Sequence, residues 1–136
     1  MTKYHSDILK SPLIKEFVVK HVDTSDHRTS DNYNKIDLTN VFIGFKNIVH
    51  LVYYLITFKP DIVYCSPAPY IKPFIRESIF IILTKITSNS KIVAHMHAGA
   101  YFREIFYENS NFLKKAFIRK TLSLCDCGIV LGKNLI

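Results

Sequence analysis

The feature that most constrains this chain is an alternation of short β-branched runs with longer apolar runs of helical period, separated by proline, glycine and serine punctuation. Residues 61–65 read DIVYC, residues 91–96 read KIVAHM and residues 126–131 read DCGIVL. Each is a short apolar run of strand length bounded by turn residues. Between them, residues 74–87, 101–108 and 111–124 carry apolar positions at helical spacing. Strand, helix, strand in that order predicts an α/β fold with a doubly wound, mainly parallel sheet and right-handed crossovers. Ligands of such sheets sit at the carboxyl ends of the strands. Those ends are Ser66-Pro67-Ala68-Pro69, His97-Ala98-Gly99-Ala100 and Gly132-Lys133.

Earlier in the chain, residues 17–22, FVVKHV, read as a further strand, and residues 23–35 as a polar surface loop. Leu38-Thr39-Asn40 offers capping chemistry before a long helix from Val41. Residues 41–58 approach the length a bilayer demands. Their polar residues recur as Lys46/Asn47, His50, Tyr53/Tyr54 and Thr57, and a lysine near the middle is costly in lipid. The spacing predicts one wet stripe on an otherwise buried helix, with no membrane span. Lys59-Pro60 ends it, because proline disfavours helical geometry in its predecessor. In residues 74–87, Glu77/Ser78 and Thr84/Lys85 form a narrow polar face, and the surrounding isoleucines predict burial against the sheet.

With 136 residues, of which 49% are hydrophobic, the chain reads as one domain with a core of its own. Three cysteines, an odd number, and no apolar leader argue against an extracellular disulfide framework and point to reducing cytosol. Eighteen basic against eleven acidic residues give +7, which implies an anionic partner such as a nucleotide phosphate, nucleic acid or acidic lipid. No G-x-G-x-x-G, P-loop, nucleophile elbow or paired-carboxylate signature is present, so chemistry confined to the chain has no obvious engine.

Among candidate groups, His95 and His97 point to the same face of a strand, which makes a metal site conceivable. A third and usually a fourth ligand are needed, and Cys125-Asp126-Cys127 is the sole candidate from elsewhere, so no metal is expected. His95 reads as a histidine packed beneath a helix. His97 lies at the strand end before Gly99, where close approach of a ligand to the backbone is possible. Ligand contact and plain loop packing stand level there. Arg76 can reach an anion in the same crevice, or pair with Glu77 or Glu104. Lys114, Lys115, Arg119 and Lys120 form a basic helical cluster, read either as a solvated face or as a contact for anionic lipid. Nucleic-acid binding has no motif to support it.

Residues 59–64 (KPDIVY), 91–99 (KIVAHMHAG) and 126–132 (DCGIVLG), in this order and spacing, resemble the amino-terminal domain of family-four glycosyltransferases. The looser stretch of residues 11–40 fits as well. The resemblance implies one Rossmann-like half of a two-domain GT-B architecture, with residues 1–136 as a single acceptor-side domain. It also implies a retaining, metal-independent transfer from a nucleotide sugar, with no cofactor, to a saccharide or lipid-linked acceptor in cell-surface polysaccharide or glycolipid synthesis. His97 would face the donor sugar, and the adjacent Ala98 and Gly99 would line the cleft; Ser66 and Pro67, at the end of a strand, and Arg76, one turn into the next helix, are read as substrate-binding from their place in the sheet. The chain departs from the family in lacking its opening strand with a glycine-rich loop and its carboxy-terminal domain with a paired-glutamate motif, and in having Ala98-Gly99 in place of two glycines. A fragment truncated at both ends, inactive alone, cytoplasmic and peripheral on the inner membrane face, is therefore the expectation. A non-catalytic membrane- or partner-binding module using the basic helix is the alternative.

Overall fold

A computed structural model describes residues 10, 12–24 and 38–131. The chain separates into two compact units, residues 1–54 and residues 55–136. In the first, a 3-10 turn spans Pro12–Lys15. The strand read at residues 17–22 does not form: the segment is irregular, and Phe17, Val18 and Val19 are exposed. A β-branched run becomes a strand only by pairing, and it has no ladder partner among the described residues. Residues 25–35 of the predicted polar loop, and Gly132-Lys133, lie outside the described residues.

Helix α1, Leu38–Thr57, begins three residues earlier than Val41, which places Thr39 and Asn40 inside the helix instead of ahead of it. Its polarity is also arranged differently from the single wet stripe. Asn47 is buried in line with Leu51 and Leu55, while Phe42, Phe45, Val49 and Ile56 are exposed along with Lys46, His50 and Tyr53. No helix among the described residues is long and apolar enough to cross a membrane. Lys59, with φ of 49°, turns the chain out of the helix ahead of Pro60.

The second unit holds a three-stranded, all-parallel sheet of order β1-β2-β3, formed by Ile62–Cys65, Lys91–Met96 and Cys127–Val130. The register pairs Tyr64 with Val93 and Cys65 with Ala94 on one side of β2, and Ala94 with Gly128 on the other. Helix α2, Ile71–Thr87, connects β1 to β2. It begins three residues before Phe74 because Pro73 falls in the first turn, where a missing N–H removes no intrahelical bond. A π-helical segment, Phe102–Tyr107, and helix α3, Phe112–Leu122, connect β2 to β3. Asn111 caps α3 by accepting from the Lys114 N–H at 3.0 Å.

The core is aromatic. Phe74 of α2 packs on Phe102, Phe106 and Ile118, with Met96, Ala98 and Phe117 around them. The polar face read on α2 is corrected here: Ser78 and Thr84 are buried. Their hydroxyls donate to the carbonyls of Phe74 and Phe80, at 2.7 and 2.8 Å, which satisfies them without solvent. Conversely, Ile75, Ile79, Ile82 and Ile86 form an exposed line along the helix, where the sequence predicts burial.

Candidate functional site at the carboxyl ends of the parallel strands

Side chains alternate along β2. Met96 joins the Phe74 core on one face, so its neighbours His95 and His97 point to the other. Tyr64 of β1, level with Val93, shares that second face. Its hydroxyl lies 2.6 Å from His95 Nδ1 and 3.3 Å from His97 Nε2. The two imidazoles stack, with centroids 3.8 Å apart and planes at 37°. Burial, then the neighbouring Cys65, push the Tyr64 phenol above its ordinary value, so it carries its proton at neutral pH. His95 Nε2 is buried with no hydrogen-bond partner among the described residues.

This arrangement corrects the reading of His95 as a packing residue beneath a helix. It lies opposite the core face, hydrogen-bonded within a polar cluster. Tyr64 was missed. A tyrosine in an apolar strand carries no signal of its own, and only the β1–β2 register sets its hydroxyl against two histidines from 31 and 33 positions later.

Beyond His97, Tyr101 N–H donates to the Ala98 carbonyl at 3.2 Å and Phe102 N–H to that of Gly99 at 3.1 Å. Gly99 has φ of 56°, a left-handed conformation that costs a residue with a Cβ. The turn leads directly into the π-helical segment, a form frequent at functional sites. Ser66 and Pro67 follow β1 immediately, with Pro67 buried. Arg76 donates to its neighbour Glu77 at 3.2 Å. Burial raises the Glu77 carboxyl above its ordinary range, and Arg76 works against that shift.

Of the Cys125-Asp126-Cys127 cluster, Asp126 is engaged elsewhere. Asp126 accepts from the Ile92 N–H at 2.9 Å and pairs with Lys85 and Lys91 at 2.7 and 3.3 Å, at the amino end of the sheet. The histidines are at the opposite end of β2. The Lys85 hydrogen bond, then that from Ile92, hold the Asp126 carboxyl far below its usual range. No set of three His, Cys, Asp or Glu side chains suited to a metal occurs among the described residues. A hydrogen bond with Cys125, and then burial, push the Cys65 thiol up.

The basic cluster of α3 is divided. Lys115 lies 5.7 Å from the Tyr107 ring centroid, and Lys114 occupies the first turn. At 100° per residue, Arg119 and Lys120 share the helix's outer side with Phe112, Leu113 and Ala116, all exposed. None of the four cations has an acidic partner among the described residues.

Comparison of the chain with known families, with curated protein sequences and with solved structures returns no match.

Proposed function

We propose that the chain is the Rossmann-like, acceptor-side half of a retaining, sugar-nucleotide-dependent glycosyltransferase of cell-surface polysaccharide or glycolipid synthesis, without turnover of its own. The observation that carries this reading is the His97-Ala98-Gly99 loop at the carboxyl end of the central strand β2, beside Tyr64 and His95. Imidazole and phenol groups suit sugar hydroxyls, which both donate and accept, and the glycine turn lets a ligand approach the backbone. These residues bind and orient. The nucleotide sugar is substrate in this reading, with no cofactor required of this chain. Arg76, which donates to Glu77, is the cation this reading assigns to the same ligand.

The test is a titration of the isotopically labelled chain, followed by NMR, with uridine- and guanosine-diphosphate hexoses and with short-chain pyrophosphoryl oligosaccharides. Shifts confined to Ser66, Pro67, His97, Ala98 and Gly99 are expected. Absence of any shift there across the panel overturns the reading, and sugar transfer by the chain alone overturns its lack of turnover.

A second reading has its own observation: Phe112 and Leu113, 82% and 74% exposed, stand beside Arg119 and Lys120 on α3. An apolar tip beside cations that have no acidic partner among the described residues fits an anionic bilayer, cytoplasmic and peripheral. Burying two such side chains contributes about 1.5–3 kcal/mol each, and each cation near the surface about 1 kcal/mol. Sedimentation with vesicles containing phosphatidylglycerol checks it. Binding should fall with salt and be lost in Phe112→Asp/Leu113→Asp, whereas no binding at low salt sinks it.

A further inference from the structure

We propose that Tyr64 and His95 are positioning residues that preset His97 as a hydrogen-bond donor, with its proton on Nε2, toward an acceptor oxygen of the ligand. The inference rests on the reading of His97 as the ligand-facing group. It starts from the single proton of the Tyr64 hydroxyl, which lies between two imidazole nitrogens and can be given to one of them only.

The distances choose the direction. At 2.6 Å, the contact to His95 Nδ1 is at the short end of hydrogen-bond lengths, where hydroxyl donors predominate. At 3.3 Å, the contact to His97 Nε2 is the long, weak arm. Tyr64 therefore donates to His95 Nδ1 and accepts from His97 Nε2–H. It follows that His95 carries its proton on Nε2, and that His97 does the same. His97 Nδ1 is buried, and Nε2 is the ring nitrogen that meets the Tyr64 hydroxyl, so Nε2 is the one assigned to the ligand. The weak arm is the one that opens, because moving His97 off the hydroxyl leaves the stronger Tyr64–His95 bond intact. A ligand then meets an N–H and not a lone pair, which selects hydroxyl, carbonyl or phosphate oxygen as its partner. Stacking at 3.8 Å holds the His97 ring over His95 until it is drawn away.

Long-range proton–nitrogen NMR of the histidine rings reads the tautomers directly, without substrate. It is recorded near pH 8, above the ordinary imidazole value of about 6.5. In the wild-type chain, both His95 and His97 should be Nε2–H. In His95→Leu, the hydroxyl loses the His95 acceptor and is expected to turn its proton onto His97 Nε2, so His97 should switch to Nδ1–H although its own side chain is untouched. His95→Asn, which returns an acceptor near the Nδ1 position, should restore Nε2–H. Should His95→Leu unfold the chain, Tyr64→Phe gives the same decision, with His97 shifting to an average of both tautomers. His97 found as Nδ1–H in the wild type, or unchanged in both His95→Leu and Tyr64→Phe, overturns the proposal. A packing role for Tyr64 and His95 would leave the His97 tautomer where it was. The saccharide titration fails or succeeds separately, so a correct tautomer with no ligand shift would overturn sugar binding and leave the positioning intact.

Discussion

Phe74→Ala should remove a large share of the stability of the 55–136 unit. Phe74 is fully buried, and its ring centroid lies 5.5 Å from that of Phe106, 5.9 Å from Phe117 and 6.2 Å from Phe102. Truncating such a residue costs about 3–5 kcal/mol, and aromatic pairs add about 0.5–1.5 kcal/mol beyond buried area. With three ring neighbours from two other elements, the upper part of that range is expected, about 4–5 kcal/mol. A domain of this size has about 4–12 kcal/mol in total, at 0.05–0.15 per residue. Urea unfolding monitored by circular dichroism should therefore show a midpoint sharply lowered or an already unfolded baseline. Amide exchange at Ile92 and Ala94, the buried centre of β2, should lose its protection in step. Phe74→Leu keeps most of the volume and loses the ring contacts, so its cost should be about 1–2 kcal/mol. Phe112→Ala, 82% exposed in the same unit, should stay within about 0.5 kcal/mol of wild type. A Phe74→Ala loss below about 1 kcal/mol, or one equal to that of Phe112→Ala, would refute the claim that these rings form one core.

Gly99→Ala should destabilise by about 1–2 kcal/mol, since a Cβ is placed in the left-handed region; an unchanged urea midpoint contradicts the turn. Lys59→Gly relieves the same strain and should stabilise by about 1 kcal/mol in the same assay. Asp126 and Glu77 act on acid stability with opposite signs. The folded pKa of Asp126 is depressed, so its contribution is present above the ordinary carboxylate range and lost as pH falls below it; Asp126→Asn should flatten that acid limb. The folded pKa of Glu77 is raised, so its contribution is full in acid and lost as pH rises through the folded value; Glu77→Gln should remove that decline. Unfolding curves across pH 2–8 for both variants check the two signs.

The regular elements of the 55–136 unit were legible because each satisfies its backbone locally or announces itself by period: β2 lies at residues 91–96 as read, and the predicted starts of β1 and β3 are off by one. The start of α2 was misplaced by a proline that the first helical turn tolerates. Residues 17–22 have the composition of a strand and form none. Ser78 and Thr84 look solvent-facing and are buried, because their hydroxyls bond the carbonyl one turn back. Of the site, His97 and the Ala98-Gly99 turn could be named from position alone. The sequence reads His95 as packing and gives Tyr64 no signal, because only the pairing of β1 with β2 brings the two together.

The sequence by itself determined the alternation of strand and helix, the absence of known nucleotide-binding and nucleophile motifs, and the loop that ends β2. These follow from periodicity and from residues such as glycine and proline, whose effects act over a few neighbours. Tertiary structure alone decided that β1 lies beside β2 in a register setting the Tyr64 hydroxyl between His95 and His97. It alone divided the basic residues of α3 between Tyr107 and an outer face shared with Phe112 and Leu113. Register and helix rotation are settled by the summed burial of the Phe74 core, to which residues distant in the chain contribute, and no local pattern carries that sum.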